Sequence, residues 1–305
     1  MILCCGEALI EMLPATTADG APAFAPEPAG TALGTAVALG RLGAPAGFLG
    51  GLSTDGFGDL LVRTLDAARA HHDLAPRRPE PTALAFLDAT GRQTLRAEAT
   101  AGRAFDPTGL PPLPAAVTAL FLGGAHLAAA PCGPGFEALA SREAPGRVVM
   151  LDPNIRPHLI ADPVGFRARI ERMIALSHIL KLSEQDLDWL RGAGDRAGQA
   201  EALCTAGPRI VVVTHGARGA TAFTATGAEV FVPAPSVTVA DRRGAGETFN
   251  AGLLAALHRA GDLTPDRLAQ IAPAALRRAV NLGVHAASVT VSRRGANPPF
   301  ARELR

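Results

Sequence analysis

The sequence predicts an α/β protein in which helices cover both faces of a mainly parallel central sheet, a three-layer sandwich. Short apolar segments of strand length alternate with helix-compatible segments along most of the 305 residues, a pattern typical of a parallel sheet with crossover helices. Two hairpin-like pairs of extended segments interrupt this alternation. A chain of this length with 48% hydrophobic residues can bury one large core. We therefore predict a single domain over 1–305 with a small β appendage.

The first half of the chain contains a strand–loop–helix unit and the appendage. Met1–Ile10 is an apolar run with Gly6 and Glu7 at its end, as in a central strand that opens onto a loop. Gly34–Leu42 is predicted to be a helix of small residues, which Gly43 ends. The following elements are Ala46–Leu52 as a strand, Phe57–Ala70 as a helix, and the extended segments Thr82–Asp88 and Arg92–Glu98 joined around Thr90 and Gly91.

The second half returns to alternating strands and helices. Ser183 followed by Asp186 predicts a helix start. Thr248–Ala260 is the clearest helix, because its apolar residues fall on one face, and Pro235–Ala240 is interpreted as a strand that precedes it. The remaining predicted elements are strands at Ala119–Leu122, Arg147–Asp152, Ile179–Leu182 and Ile210–Thr214, a hairpin of Thr221–Thr224 and Glu229–Pro233, and a helix over Arg277–Ser288.

The charge balance favours a small-molecule partner. The chain has 29 basic and 28 acidic side chains, a net charge of +1, so no overall field attracts nucleic acid or an anionic membrane. No apolar run approaches the roughly 20 residues that span a bilayer. Glu7 and Glu11 interrupt the N-terminal apolar segment, where a signal peptide needs a continuous one. We expect a cytoplasmic protein that binds neither nucleic acid nor membrane.

The segment Asp241–Gly252, DRRGAGETFNAG, carries the most informative chemical signal. Gly244 and Gly246 come directly before a predicted helix, where backbone N–H groups are exposed and the helix dipole is positive. Such a helix start binds anions, including a phosphoryl group in transfer. Glu247 stands in the first helical turn, where a carboxylate can accept a proton from a hydroxyl that attacks a phosphate. By spacing alone, a tight turn and a dipole-compensating glutamate explain the segment equally well.

This segment resembles the C-terminal signature of PfkB (ribokinase-like) carbohydrate kinases, and the chain is closest in its motifs to fructokinases. In that signature, an Asp-x-x-Gly-Ala-Gly-Asp pattern supplies an anion hole from the Gly-Ala-Gly backbone and a catalytic base from its last residue. The resemblance therefore implies Gly244, Ala245 and Gly246 as the anion hole, and Glu247 as the base. Further matching segments follow the family's order along nearly the whole chain: Gly6–Ile10, Ala29–Gly43, Gly50–Leu61, Leu151–Pro157, Lys181–Glu184, Val213–Gly219 and Arg294–Ala296.

The resemblance implies a ribokinase-like fold and phosphoryl transfer from Mg-ATP to a sugar hydroxyl. Lid strands are expected approximately within 12–30 and 82–100, where they close over the sugar and offer a surface for a homodimer. ATP and Mg²⁺ are the expected cofactors, and a monovalent cation such as K⁺ is left open. The implied site residues are Glu11, Gly30, Gly34 and Arg156 for the substrate, Lys181, Thr214, Gly216, Gly219, Gly244 and Gly246 for the nucleotide, and Glu184 and Asp241 for the metal.

Several residues of the site depart from the family pattern. On the sugar side, Glu11 stands where the family usually has an Asp, Gly34 where it has a sugar-binding Asn, and Glu247 where the base is an Asp. A hydroxyl-bearing pair is replaced by Arg242 and Arg243, which either contact nucleotide phosphates or are solvated surface charges. The changes indicate either a reshaped pocket, in which longer carboxylates fill vacated space, or a decayed site in a pseudokinase that binds sugar or nucleotide. A kinase for a nucleoside or a keto-deoxy sugar acid is a third interpretation, which differs only in the pocket lining.

Overall fold

The computed structural model describes residues 1–88 and 93–304. These residues form an eight-stranded central sheet with helices on both faces, and a separate four-stranded sheet. The strands are β1 Ile2–Gly6, β2 Leu9–Thr16, β3 Pro22–Ala29, β4 Ala46–Leu49, β5 Leu52–Ser53, β6 Arg77–Arg78, β7 Leu84–Leu87, β8 Gln93–Arg96, β9 Ala119–Gly123, β10 Val148–Asp152, β11 Ile179–Ser183, β12 Ile210–Thr214, β13 Ala220–Thr224 and β14 Glu229–Val232. The helices are α1 Thr31–Arg41, α2 Gly56–Ala67, α3 Cys132–Glu143, α4 Pro163–Leu176, α5 Glu184–Arg191, α6 Arg196–Cys204, α7 Ala245–Ala260, α8 Pro265–Ala269 and α9 Pro273–Val291.

The central sheet has the strand order β14-β13-β12-β11-β10-β9-β1-β4. Neighbouring strands from β4 to β12 are parallel, and β13 and β14 extend the sheet as an antiparallel hairpin. From β1 the chain passes to β4 on one side and later to β9 on the other, so the strand order reverses between β1 and β9. In open α/β sheets, ligands bind in the crevice outside the carboxyl ends of the strands at such a reversal.

Apolar side chains on the two faces of the central sheet form two cores. Ile2 and Cys4 of β1 face the core that the sheet shares with α1, α2, α7 and α9. Leu3 and Cys5 face the opposite core, which the sheet shares with α3 to α6. Strands buried on both faces have continuous apolar sequences, which is why the alternating pattern of the sequence predicted this three-layer architecture correctly.

The small sheet has the strand order β3-β2-β7-β8. Its first strand begins at Leu9, a few residues before the predicted range, because Leu9 and Ile10 are buried and already paired with β3. Strand β7 adds to β2 in parallel, and β8 follows β7 antiparallel. The turn expected around Thr90 and Gly91 lies outside the described residues. The small separate sheet expected from the resemblance is therefore present.

Two glycine-capped helix starts and one segment are among the differences from the predictions. Helices α1 and α7 each begin three residues early, directly after Gly30 and Gly244, whose φ angles of 118° and 76° suit glycine. The strand predicted over Pro235–Ala240 is wrong. Pro235 has no N–H group to donate to a ladder, and the segment is held instead where the N–H of Ala240 donates to the carbonyl of Val291 at 2.8 Å.

Candidate active site

The carboxyl ends of the central strands, the start of α7 and the small sheet surround a cavity of about 700 Å³. A second cavity of about 100 Å³ adjoins it beside β8 of the small sheet. The larger cavity has a size that accommodates small-molecule ligands, and the smaller one lies at the reversal of strand order, because Glu7 and Ala125, which follow β1 and β9, line it. The residues that line both cavities are Glu11, Gly30, Asn154, Arg156 and Glu247.

The start of α7 presents its backbone to the larger cavity, as the sequence predicted. Gly244 caps the helix with a left-handed φ of 76°, and a Cβ there would lie 3.0 Å from the Cβ of Ala296. Gly246 is different, because a Cβ on it would meet only the Nζ of Lys181, at 3.5 Å. An anion at this helix start would therefore lie between backbone N–H groups and a lysine ammonium.

Glu247 lines both cavities from the first turn of α7. Burial raises the pKa of the Glu247 carboxyl, and the negative charge of Asp152 adds to the rise, whereas Lys181 and Arg156 oppose it. A carboxylate with a raised pKa is a stronger base near neutral pH. The residue in the signature's base position therefore has an environment suited to accepting a proton.

Gly34 packs directly against Glu247. A Cβ on Gly34 would lie 2.9 Å from the Cγ of Glu247 and 3.1 Å from its Cβ. Carbon atoms do not approach so closely without displacement, so any side chain at position 34 would push the glutamate aside. The glycine leaves the room that the longer carboxylate occupies, which favours the reshaped pocket over decay.

A buried polar cluster lies beneath the anion-binding loop. The Nζ of Lys181 is 3.0 Å from the Oδ2 of Asp152, and the Nδ2 of Asn250 donates to the same oxygen at 2.7 Å. Burial lowers the pKa of Lys181, but Asp152, Asp186 and Glu247 outweigh it and raise that pKa overall. The Oδ1 of Asp152 has no hydrogen-bond partner among the described residues. An unpartnered buried carboxylate oxygen at a cavity wall is a place for a ligand or water.

The smaller cavity is lined by Glu7, which sequence reasoning did not assign to the site. Its carboxylate accepts the N–H groups of His126 at 3.1 Å and of Thr31 at 3.4 Å, and so joins the regions after β1 and β9. Asn154 donates from its Nδ2 to the Oγ1 of Thr31 at 2.8 Å. Arg156 is exposed and has no ion pair within residues 1–88 and 93–304. Glu7 and Asn154 belong to motifs that the sequence singled out, but their spacing alone gives no role.

Arg243 is bound to three carboxylates. Its Nη2 lies 2.6 Å from the Oδ2 of Asp241, and its Nη1 lies 2.9 Å from Glu27 and 3.6 Å from Glu11. The N–H of Gly295 also donates to Asp241, at 3.1 Å. This geometry does not support the metal role expected for Asp241, because its oxygens already accept these donors. The guanidinium of Arg243 is therefore neither free to contact a phosphate nor a solvated surface charge.

The other end of the larger cavity is lined by Arg242 and the loop of residues 294–298. Arg242 is exposed and, in the described part of the chain, forms no ion pair. Arg41 holds the loop by donating to the Oδ1 of Asn297 at 2.6 Å and to the carbonyl of Pro298 at 2.8 Å. Arg242 is thus the arginine of the pair that remains free to meet an anion.

Besides Asp241, the structure places four predicted nucleotide and metal residues outside the lining of both cavities: Thr214, Gly216, Gly219 and Glu184. They lie at the carboxyl ends of β11 and β12, beside the strand of Lys181. Burial raises the pKa of Glu184, but hydrogen bonds from Arg218 and His215 outweigh it and lower that pKa. The roles assigned to these four residues remain predictions.

A helix start suited to anions, a carboxylate that can accept a proton and a buried lysine line one cavity of this α/β fold, the combination expected of a phosphotransferase for small molecules. The chain belongs to the pfkB family of carbohydrate kinases, whose family model matches residues 1–302. A fructokinase from Rhizobium leguminosarum bv. trifolii is 44% identical over 280 residues, which cover 91% of this chain and 86% of that protein. Within the family, the chain is fructokinase-like.

Solved structures confirm the ribokinase-like fold. A Xylella fastidiosa fructokinase with bound ATP superposes with a TM-score of 0.89 at 27% identity, over 99% of this chain and 96% of that one. A double mutant of Vibrio cholerae O395 fructokinase, bound to fructose, ADP and a potassium ion, gives a TM-score of 0.85 at 23% identity, over 97% and 93% of the two chains. Both the central sheet and the small separate sheet belong to this shared fold.

Proposed function

We propose that this protein transfers the γ-phosphoryl group of ATP to a primary hydroxyl of fructose or a related furanose sugar. The observation that carries the proposal is that Gly246, Lys181 and Glu247 line the same cavity. A phosphoryl group in that space would contact backbone N–H groups and an ammonium, next to a carboxylate. The relatives that share the family and most of the chain are fructokinases, which supports the choice of sugar.

Each residue of the site has its own role in the proposed reaction. Glu247 would take the proton of the sugar hydroxyl as its oxygen forms a bond to the γ-phosphorus. The bond between the γ-phosphorus and the bridging oxygen breaks, and ADP leaves with that oxygen. The N–H groups of Gly244, Ala245 and Gly246 would stabilise the charge on the transferring group. Lys181, which the Asp152 carboxylate keeps protonated despite burial, would add a fixed positive charge.

Magnesium would enter with ATP and supply charge neutralisation on its phosphates. No group of three or more His, Cys, Asp and Glu residues capable of holding a metal occurs in the parts of the chain that the structure describes. That absence fits Mg²⁺, which commonly binds through one or two carboxylates, water and substrate phosphates. The unpartnered Oδ1 of Asp152 is an oxygen suited to it, and Glu184 remains the predicted residue that acts through water.

The sugar would occupy the region that the two cavities share. Arg156 and Asn154 offer hydrogen-bond donors there, and Glu11 offers an acceptor, so the set suits a ligand with several hydroxyl groups. The small sheet borders both cavities, and its closure would exclude water from the phosphoryl group. A homodimer through this sheet stays part of the proposal, supported by Phe24, which is half exposed on β3.

The proposed partners of the protein are the two substrates of this site. In residues 1–88 and 93–304, no helix combines the length and apolar character needed to cross a bilayer. The substrates proposed are a sugar and ATP in the two cavities, without nucleic acid or membrane.

A coupled ADP-release screen over ketoses, aldoses, nucleosides and sugar acids tests the proposal. We expect fructose or another ketose to give the highest kcat/KM. A nucleoside or a keto-deoxy sugar acid as the best substrate would replace the sugar assignment but keep the kinase mechanism. ATP binding without turnover on any acceptor would contradict the proposal in favour of a nucleotide-binding pseudokinase.

A further inference from the structure

The loop that binds the anion contains a carboxylate that needs a positive partner. Asp241 lies three residues before Gly244, and its side chain is largely buried. The N–H of Gly295 donates to its Oδ2, which ties the loop after α9 to the start of α7. A desolvated negative charge at this position would repel an incoming phosphoryl group and is costly unless a cation neutralises it.

Such a cation can be a metal ion taken from solution or a side chain of the protein. The Vibrio cholerae fructokinase structure described above contains a potassium ion. In the present chain, Arg243 meets both oxygens of Asp241. The Oδ1 accepts the Arg243 backbone N–H at 3.0 Å and the Nε at 3.2 Å, and the Oδ2 accepts Nε at 3.1 Å and Nη2 at 2.6 Å. Together with Gly295, these donors use the in-plane lone pairs of the carboxylate, so a metal ion would have to displace them.

The same guanidinium also contacts the small sheet. Its Nη1 lies 2.9 Å from the Oε2 of Glu27 on β3 and 3.6 Å from the Oε2 of Glu11 on β2. A planar guanidinium can hold several carboxylates in fixed directions, whereas a spherical ion has no such directionality. One side chain thus neutralises the loop and links it to the sheet that covers the cavity.

We propose that Arg243 is a built-in cation that replaces a monovalent metal ion at Asp241, so that this kinase works without potassium. Arg243 acts as a positioning residue, because its guanidinium is bound to Asp241, Glu27 and Glu11 and so holds the anion-binding loop against the small sheet. The proposal rests on the kinase function proposed above, but part of its test needs no catalysis.

The test compares potassium chloride with tetramethylammonium chloride at constant ionic strength. For the wild-type protein, we expect the same thermal unfolding midpoint and the same turnover in both salts. Arg243→Ala leaves Asp241 without a cation, so potassium should raise its unfolding midpoint by mass action. Its turnover should fall at least about tenfold without potassium, which corresponds to roughly 1.4 kcal/mol of transition-state stabilisation, and should recover in part when potassium is added.

Two matched variants separate this role from general charge loss. Arg242→Ala removes the neighbouring arginine. Glu27→Gln removes the contact of Arg243 to the small sheet and leaves the ion pair between Arg243 and Asp241 intact. Both variants should stay insensitive to potassium. A wild-type unfolding midpoint that rises specifically with potassium would overturn the proposal, even if no sugar is turned over. If Arg243→Ala does not fold, Arg243→Lys is tested in its place. Lysine keeps a cation beside Asp241, so this variant should be insensitive to potassium. A potassium response of Arg243→Lys alone would contradict the proposal.

Discussion

At residue 34 the backbone of α1 lies within side-chain distance of Glu247 on α7, so the identities of these two residues depend on each other. The glycine leaves space that the additional methylene of a glutamate occupies. In an unconstrained decayed site, there is no reason for a smaller residue to face a longer one across the cavity. The pair therefore supports a site adapted to its own substrate.

The first prediction tests this dependence with Gly34→Ala, Glu247→Asp and the double variant. The alanine Cβ should displace Glu247, and the aspartate should fall short of the hydroxyl, so each single variant should lose about tenfold to a hundredfold in kcat, since small displacements of a base are costly. The double variant should be less impaired than the product of the two losses, because the shorter carboxylate relieves the contact. The double-mutant cycle of kcat measures the coupling.

Gly56→Ala is the control, because a Cβ on Gly56 meets no atom within 4 Å, and it should leave kcat unchanged. Strictly additive losses would contradict the coupling. A rise in turnover for Glu247→Asp alone would instead support a decayed site.

The second prediction concerns pH. Burial raises the pKa of Glu247, so its carboxyl keeps a proton to higher pH than a free glutamate, whose pKa is about 4.3. Since only the ionised form can accept a proton, kcat/KM should fall as the pH drops through this raised pKa. The acid limb should therefore lie above pH of about 4.3, at pH values where circular dichroism shows a folded protein. Turnover that remains constant down to that pH would contradict the assignment of Glu247 as base.

At the scale of elements, the two glycines at the start of α7 have different roles. Gly246→Val should keep the fold, because its side chain would extend toward the Lys181 ammonium and the cavity, and it should abolish phosphate binding. Gly244→Ala should lower the unfolding midpoint instead, because Gly244 has a positive φ and its Cβ would crowd Ala296. Calorimetric ATP titration and thermal unfolding of both variants check this contrast. Full ATP affinity in Gly246→Val would show that the anion does not bind at this loop.

Most of the element order was predictable, because parallel strands buried on both faces leave continuous apolar runs between helical segments. The helix start predicted from Ser183 and Asp186 is confirmed, since these two residues form a capping box at the start of α5. The start of α7 was placed three residues late, because glycine has low helix propensity but here caps the helix through its left-handed φ. Pro235–Ala240 was mistaken for a strand because Val237 and Val239 alternate with polar residues, but both valines are exposed and Pro235 cannot donate to a ladder.

The site was predictable where its residues are contiguous in sequence and unpredictable where they come from distant segments. Gly244 to Glu247 form one segment, and the structure brings Gly246 close to Lys181; the phosphate role expected for both stays a prediction. The sequence does not decide whether Arg243 contacts a phosphate or is a surface charge, because its partner Glu27 is 216 residues away in the chain. Likewise, only the packing of α1 against α7 reveals that Gly34 touches Glu247.

At the scale of the whole molecule, the central sheet positions the proposed catalytic groups and the small sheet borders the cavity that they line. The carboxyl ends of β10 and β11 carry Asp152 and Lys181, α7 carries the anion-binding loop, and β2 and β3 carry the two glutamates that Arg243 holds. Each group comes from a different part of the chain. The central claim is that this assembly transfers phosphate from ATP to a sugar, with Glu247 as the base.

The measurement that tests this claim most directly is fructose-dependent ADP release by the wild-type protein and by Glu247→Gln, with the Mg-ATP-induced rise in unfolding midpoint measured on both. Glutamine has nearly the size of glutamate but cannot accept the proton. We predict that both proteins are stabilised by Mg-ATP, and that the variant loses about a hundredfold to ten-thousandfold in turnover, the usual contribution of a general base. Wild-type turnover in Glu247→Gln would contradict the account.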